Sequence, residues 1–459
     1  MEGFLVSVRK YALLSVVLVL ALVALGAFAL FTPARAVQAL PAPPSPFTDW
    51  IIAVGTTGTV SLVDTATDIV YPAVITGGLG SEGGGLFDVA VVPNSNLALI
   101  SNFGDSTVYF VDFSDRMSPT IVTSVTLGFF AEDIVVTRDG RTALVTDGGS
   151  NPYIGVIDVP SRSLAYTVTL SSGDANAVDV APDGTVIVAD YFRGYLHTLY
   201  PDASGILTQT GSYSYALTTD GAVVLADGPG ALAAAAGPVD RGLVVAGASS
   251  TADVSVADVS AEVSALGATD VVALPSRPVN VAVAPDGQTV FQADVSNYTG
   301  YTTQTLYSVG IYRIVAPGVL SFTSAITNLA RGTQSIAFSA DGTQVYLSQN
   351  GGLDRWEMPL PNALTVLDIV APGEVHLARE NAVDYTRLGS SQLFGVDSIA
   401  VARGKAYLGN PTISGASNDL RVVNLDEYSV KRLQMPGIIA GVGVLSPIRV
   451  YVPLVNAAD

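Results

Sequence analysis

The chain contains no cysteine. Disulfides, thiolate nucleophiles and cysteine-ligated zinc or iron–sulfur sites are therefore excluded. Histidine is almost as scarce. Only His197 and His376 occur, which rules out multi-histidine copper or iron centres and leaves a serine–histidine–carboxylate relay just two rings to draw on. Trp50 and Trp356 are the only tryptophans. Charged residues make up 13%, and the 40 acids against 21 bases give a net charge of −19. That field repels a phosphate backbone and argues against nucleic acid as a partner. Glycine (45 residues) and apolar side chains (49%) are plentiful, a mixture suited to short strands joined by tight turns.

Met1 to Ala36 reads as a targeting segment. Arg9 and Lys10 precede a charge-free run from Tyr11 to Phe31, and Ala34-Arg35-Ala36 fits a small-x-small cleavage site. The run is also long enough to span a bilayer, so a cleaved signal peptide and a retained N-terminal anchor both stand as readings. With basic residues first, either one puts the rest of the chain outside the cytoplasm: extracellular, cell-surface or periplasmic. Residues 37–48 are proline-rich and uncharged up to Phe47, and read as an extended linker. The expected folded domain covers 49–447, with a short tail over 448–459.

A recurring phrase dominates that domain. In Ala177 to Asp190, AVDVAPDGTVIVAD, valines alternate on either side of Pro182-Asp183-Gly184. Alternation puts one face of each strand into a core, and proline, aspartate and glycine supply the turn between them. Copies are FDVAVVPNSN from Phe87, EDIVVTRDGR from Glu132, VNVAVAPDGQ from Val279, QSIAFSADGT from Gln334 and DSIAVARGKA from Asp397. A weaker copy is GALAAAAGPVDRG from Gly230. A second strand follows each, then a third that ends in an Asx turn at Asp64, Asp112, Asp158 or Asp258, then a returning fourth. Recurrence at equivalent places assigns these aspartates, with Asp139, Asp183, Asp286 and Asp341, to turn capping.

Four short antiparallel strands per unit, at spacings that begin in the propeller range, predict an all-β propeller of four-stranded blades. The N-terminal piece from Asp49 has a second, third and fourth strand but no first, and GIIAGVGVLS from Gly437 is a lone first strand. Together they complete one blade and close the ring. Counting that blade and the weak copy at Gly230 gives eight. Seven is the alternative if the irregular stretch Ala371 to Gly395 distorts the count.

The phrases APDGTVIVAD, APDGQTVFQAD and SADGTQVYLSQ, with VIDVPS- and LVDTAT-type turns after third strands, resemble the YVTN family of bacterial and archaeal β-propeller repeats. The chain departs from that repeat at Pro93-Asn94, which lacks the glycine, in the degenerate copy at Gly230, and where Asp or Gln replaces the terminal Asn. The resemblance implies a propeller of surface-layer or exported type. Related propellers include lactonases and quinone- or haem-dependent oxidoreductases. RVYVPLV near the C-terminus resembles terminal tails of some exported bacterial proteins.

Few residues point to chemistry. No GxSxG elbow accompanies either histidine, and His197 and His376 read as surface or loop residues. The glycine-rich stretch Gly77 to Gly85 lacks the Lys-Ser/Thr of a phosphate loop and reads as a connection. Asn297-Tyr298-Thr299 is a glycosylation sequon. One constellation converges. In a propeller the first strand lines the axial channel, so the polar residues at its head, Asp88, Glu132, Asp133, Asn176, Asn280, Gln334 and Asp397, ring the channel mouth, with Arg277 and Arg331 in the preceding loops. That rim is the expected site for a small polar ligand or a cation such as Ca2+. No catalytic set emerges, so the expected function is an exported or surface binding and scaffold module for a protein or surface-polymer partner. The alternative is a propeller enzyme, a lactonase-like hydrolase or an oxidoreductase, using the same rim. Membrane contact is expected only through an uncleaved N-terminal segment.

Overall fold

The computed structural model describes residues 49–80, 85–149, 151–171, 173–191, 194–218, 223–227, 232–235, 243–246, 273–275, 278–294, 307–350, 362–384, 398–409 and 418–446. The expected targeting segment, linker and tail, the sequon, Trp356, Asp258, Arg277 and Asp397 lie outside the described residues. Every regular element among those described is a strand, and none is a helix long and apolar enough to cross a membrane.

The strands form seven four-stranded antiparallel blades. Blade 1 joins the two ends of the domain. Its innermost strand is Ile439–Leu445, followed outward by Trp50–Gly55, Thr59–Asp64 and Ile69–Ile75. This is the composite closure expected from the sequence. Innermost strands of blades 2 to 7 are Leu86–Val91, Ala131–Val136, Ala177–Val180, Pro278–Val283, Gly332–Phe338 and Ile399–Ala402.

Each blade packs both faces on its neighbours, which explains the sequence pattern. Second strands such as Trp50–Gly55 and Val186–Asp190 are buried at every position and read as continuous apolar runs. Outermost strands such as Ser163–Thr169 alternate in exposure, because one face looks out to water. Seven apolar clusters result, one at each seam between blades, including the seam of blade 7 with blade 1. The proline–aspartate–glycine turns work as read. Asp183 Oδ1 accepts the Thr185 N–H at 2.9 Å, and Gly184 supplies the positive φ of 91°.

The count is seven rather than eight. The Gly230 copy is not a blade. Leu232–Ala235 and Leu243–Ala246 form a separate two-stranded hairpin, while Val223–Asp227 and Ala273–Pro275 both pair with Leu207–Thr218, the outermost strand of blade 4. Blade 4 packs directly on blade 5: Ala177, Ile187 and Leu196 share a cluster with Val281, Val290 and Tyr312. A blade must bury large side chains on both faces. Between Ala231 and Ala236 only Leu232 is larger than alanine, which leaves this strand little apolar area to wedge between two neighbours. The stretch after Ala371 does not disturb the count, since Glu374–Asp384 is simply the outermost strand of blade 6.

Polar bonds stitch the seams. Asp88 Oδ2 accepts the Ile134 N–H at 3.4 Å, Asp133 Oδ2 the Val178 N–H at 2.7 Å, Asp179 Oδ2 the Val283 N–H at 2.7 Å, and Ser398 Oγ the Val442 N–H at 3.0 Å. In each case a side chain on or beside one innermost strand takes a backbone donor of the next. Second strands add another set. Ser101 accepts the Asp88 N–H and donates to the Glu132 carbonyl at 2.6 Å, and Thr146 accepts the Asp133 N–H and donates to the Asn176 carbonyl at 3.0 Å. At the other end of the blades, Thr185 accepts the Gly318 N–H and Thr289 the Gly373 N–H, both at 2.8 Å.

Candidate functional site

Antiparallel pairing sets Leu86 opposite Asn102, Ala131 opposite Asp147, Ala177 opposite Ala189 and Pro278 opposite Asp294. The head of each innermost strand and the tail of each second strand therefore share one end of the ring, called here the upper end. In blades 2 to 6 the second strands close on acids or amides, and those of blades 2 and 3 cap the following loop. Asn102 Oδ1 accepts the Gly104 N–H at 2.8 Å. Asp147 Oδ1 accepts the Gly149 N–H, and its Oδ2 the Asn151 Nδ2, also at 2.8 Å.

The residues expected at the rim divide into several groups. Asp88 and Asp133 are half-buried on their innermost strands, each committed to a backbone N–H of the next innermost strand. Their carboxyls also hydrogen-bond each other. Burial pushes both above the ordinary aspartate range, and for Asp133 the neighbouring Asp88 charge adds to the push. Asn176 is occupied in structure: its Oδ1 accepts the Tyr191 N–H at 3.0 Å. Arg331 is 5% exposed and turns outward, clamping Asn381 and Asp384 on the outermost strand of blade 6. Asn280 and Gln334 are half-buried at the heads of blades 5 and 6, where the strand register shifts.

Glu132 is different. Its Oε2 is buried and has no hydrogen-bond partner. Burial first, then the charges of Asp174 and Asp147, raise its pKa from 4.5 to about 8. Asp174 sits in the loop entering blade 4 and is 3% exposed, and its Oδ1 likewise has no partner. Burial, then Asp190 and Asp147, raise it from 3.8 to about 7. Glu132, Asp147, Asp174 and Asp190 thus form an acidic recess at the upper end, over the seam of blades 3 and 4. No three histidine, aspartate or glutamate side chains among the described residues are placed to hold a metal ion.

An aromatic ledge borders the recess. Phe103 and Phe130 stack at 4.8 Å with a 13° tilt, Phe87 backs Phe103 at 6.4 Å, and Phe130 is 43% exposed. Gly148 and Gly149 bring ledge and acids together. A Cβ on Gly148 would lie 2.7 Å from the Phe103 ring and 2.8 Å from Glu132 Oε2. A Cβ on Gly149 would lie 2.7 Å from the Phe130 ring and 2.9 Å from Asp147 Oδ1.

Outward from the recess stands His197, on the third strand of blade 4 as expected, but fully buried rather than at the surface. Its Nε2 lies 3.3 Å from Asp190 Oδ2 and its Nδ1 2.9 Å from Ser212 Oγ. His376 is on the exposed outermost strand of blade 6, 3.6 Å from Glu374. Sequence reading missed Asp147, Asp174, Asp190, Phe103 and Phe130. The available signal was the Asp replacing the terminal Asn of the second strand in blades 3 and 4.

No protein-family model matches the chain, and no curated protein matches it by sequence. Solved structures match in fold. A functionally unknown protein from Desulfotomaculum acetoxidans is 16% identical, covering 87% of this chain and 99% of that one, with a TM-score of 0.58. The periplasmic gluconolactonase PpgL of Pseudomonas aeruginosa is 14% identical over 87% of this chain and 99% of that one, TM-score 0.56. Hydrazine synthase of Kuenenia stuttgartiensis is 14% identical over 82% of this chain and 93% of that one, TM-score 0.52. Neighbours so unlike in description share a fold, not an activity.

Proposed function

We propose that the protein is an exported propeller of the YVTN type that binds a small organic ammonium ligand in the recess formed by Glu132, Asp147 and Asp174. The observation that carries this reading is the pair of buried carboxyl oxygens, Glu132 Oε2 and Asp174 Oδ1, that lack any hydrogen-bond donor. An ammonium group supplies several donors and the opposite charge. The Phe130 face beside it favours a cation with an apolar body. The basic and apolar run at 9–31 and a fold shared with a periplasmic protein support export.

Both carboxyls are raised toward neutrality, so the cation displaces protons as it binds. Titration calorimetry with n-butylamine tests this. Affinity is expected to rise about tenfold from about pH 6 to about pH 8 and to be lost in the double variant Glu132→Gln, Asp174→Asn. Absence of binding at the higher pH, or equal binding by that variant, overturns the reading.

A second reading, hydrolysis of a sugar lactone, is supported by two carboxyls titrating near neutral pH and by the gluconolactonase among the fold neighbours. Turnover of gluconolactone that vanishes in Glu132→Gln would favour it over binding alone.

A further inference from the structure

We propose that Ser212 is an activated nucleophile, the centre of a hydrolytic site on the outer part of blade 4 that acts on small esters. Three side chains line up across three adjacent strands. Asp190 ends the second strand, His197 lies on the third, and Ser212 stands directly opposite His197 on the outermost strand. The contacts are 3.3 Å from Asp190 Oδ2 to His197 Nε2 and 2.9 Å from His197 Nδ1 to Ser212 Oγ.

The surrounding bonds fix the proton positions. The Ser171 N–H donates to Gln209 Oε1 at 2.8 Å, so the amide oxygen of Gln209 faces Ser171. Its Nε2 therefore faces inward, 3.1 Å from His197 Nδ1 and 2.9 Å from Ser212 Oγ. An amide nitrogen only donates, so Nδ1 is the bare acceptor and the ring proton sits on Nε2, toward Asp190. Nδ1 is thus free to take the hydroxyl proton of Ser212, while Asp190 stabilises the imidazolium that forms. His197 and Asp190 are fully buried and Ser212 is not, so the base is shielded while the nucleophile keeps contact with solvent. A histidine that only filled space would not need this ordered chain of donors.

In the reaction, Ser212 Oγ bonds to the ester carbonyl carbon and its proton passes to His197 Nδ1. The carbon–oxygen bond to the alcohol breaks, and the alcohol leaves with that proton. Water, deprotonated by Nδ1, then releases the acid and restores the serine. Gln209 Nε2 lies within reach to donate to the developing oxyanion. The site meets the ammonium recess at Asp190, but its test reads modification of Ser212, which cation binding by Glu132 and Asp174 does not require.

A fluorophosphonate probe tests the proposal on the full chain. Oγ–phosphorus bond formation with loss of fluoride should modify Ser212, located by peptide mass spectrometry, and the label should be absent from Ser212→Ala. Labelling only at other serines, or none, overturns the proposal. His197→Gln would leave Asp190 facing an altered partner and could unfold blade 4, so a second variant keeps the test sound. The wild-type chain has no cysteine. The thiol introduced by Ser212→Cys is therefore unique, and its alkylation by iodoacetamide at about pH 6 should run at least about tenfold faster than that of glutathione, because the neighbouring imidazole draws off its proton. A rate that follows the ordinary thiol titration near about pH 8.5 overturns the proposal.

Discussion

The Asp133 carboxylate accepts the Val178 N–H at 2.7 Å, joining the innermost strand of blade 3 to that of blade 4. The same device recurs between Asp88 and Ile134 and, one pleat further along the strand, between Asp179 and Val283. Three successive seams are thus held by carboxyl groups whose burial raises all three pKa values, that of Asp179 to about 6. Their role is to satisfy backbone donors that the neighbouring innermost strand presents toward the axis.

Replacing Asp133 should separate geometry from charge. Asp133→Ala leaves the Val178 N–H without its acceptor, a cost of about 1–3 kcal/mol. Asp133→Asn keeps an oxygen acceptor, removes the titrating proton and is expected to stay near wild-type stability at neutral pH. Urea melts of both variants check this. Equal loss in the two would mean that packing, not the hydrogen bond, sets the cost.

Glu132 gives stability a pH dependence of predictable sign. Its carboxyl keeps a proton up to about pH 8 in the folded chain, against an ordinary value of 4.5. The folded state therefore binds more protons than the unfolded one across that window, and its stability falls as pH rises through it. Asp174, raised to about 7, acts in the same direction. Glu132→Gln removes the penalty. The variant is expected to match wild type near about pH 4 and to exceed it by on the order of 2 kcal/mol above about pH 8. Melting temperatures collected across that range test it, and a wild-type curve that is flat from pH 5 to pH 8 would contradict the assignment.

Ring closure has its own latch. Asp68, on the turn before the outermost strand of blade 1, meets Lys405 at 2.7 Å and Lys431 at 3.1 Å, both on blade 7. Partial burial pushes the Asp68 carboxyl up, but the two lysines outweigh it and hold it below its ordinary value. This pairing stabilises the fold above the unfolded pKa and is lost as pH falls through the folded one. Asp68→Asn should cost about 1 kcal/mol at neutral pH, the scale of a partly exposed pair, and progressively less as pH falls through the folded-state pKa. The same comparison in high salt should shrink the difference, since partly exposed pairs are screened.

Much of the ring was legible in the chain. The turn phrase around Pro182-Asp183-Gly184 and the largely apolar second strands marked the blades, and the unmatched strand at Gly437 announced closure, because these depend on local periodicity and turn chemistry. The blade count failed at Gly230, where an alanine-rich phrase of the right shape forms only a two-stranded hairpin. The site was harder to read. Asp88, Glu132 and Asp133 occupy similar sequence positions, yet adjacent residues of one strand face opposite sides, so Asp133 meets Val178 while Glu132 meets Asp174. Only the spacing of neighbouring blades decides which carboxyl finds a donor. His197 and Ser212 come together through cross-strand register, which no linear motif records.

Gly148 controls the recess directly. Its missing side chain leaves room for the Phe103 ring and for Glu132 Oε2, which a Cβ would approach to 2.7 and 2.8 Å. Both distances are shorter than ordinary van der Waals contact, so Gly148→Ala must displace the ring, the carboxylate or both. Phe103 is wedged between Phe87 and Phe130 and has little freedom to retreat, so the Glu132 side chain is expected to move. The variant should lose about tenfold or more in n-butylamine affinity, while the shift in stability stays within about 1–3 kcal/mol, the usual scale of local overpacking. Calorimetry alongside thermal melts distinguishes the two effects. If affinity is unchanged while stability falls, the recess does not hold the ligand.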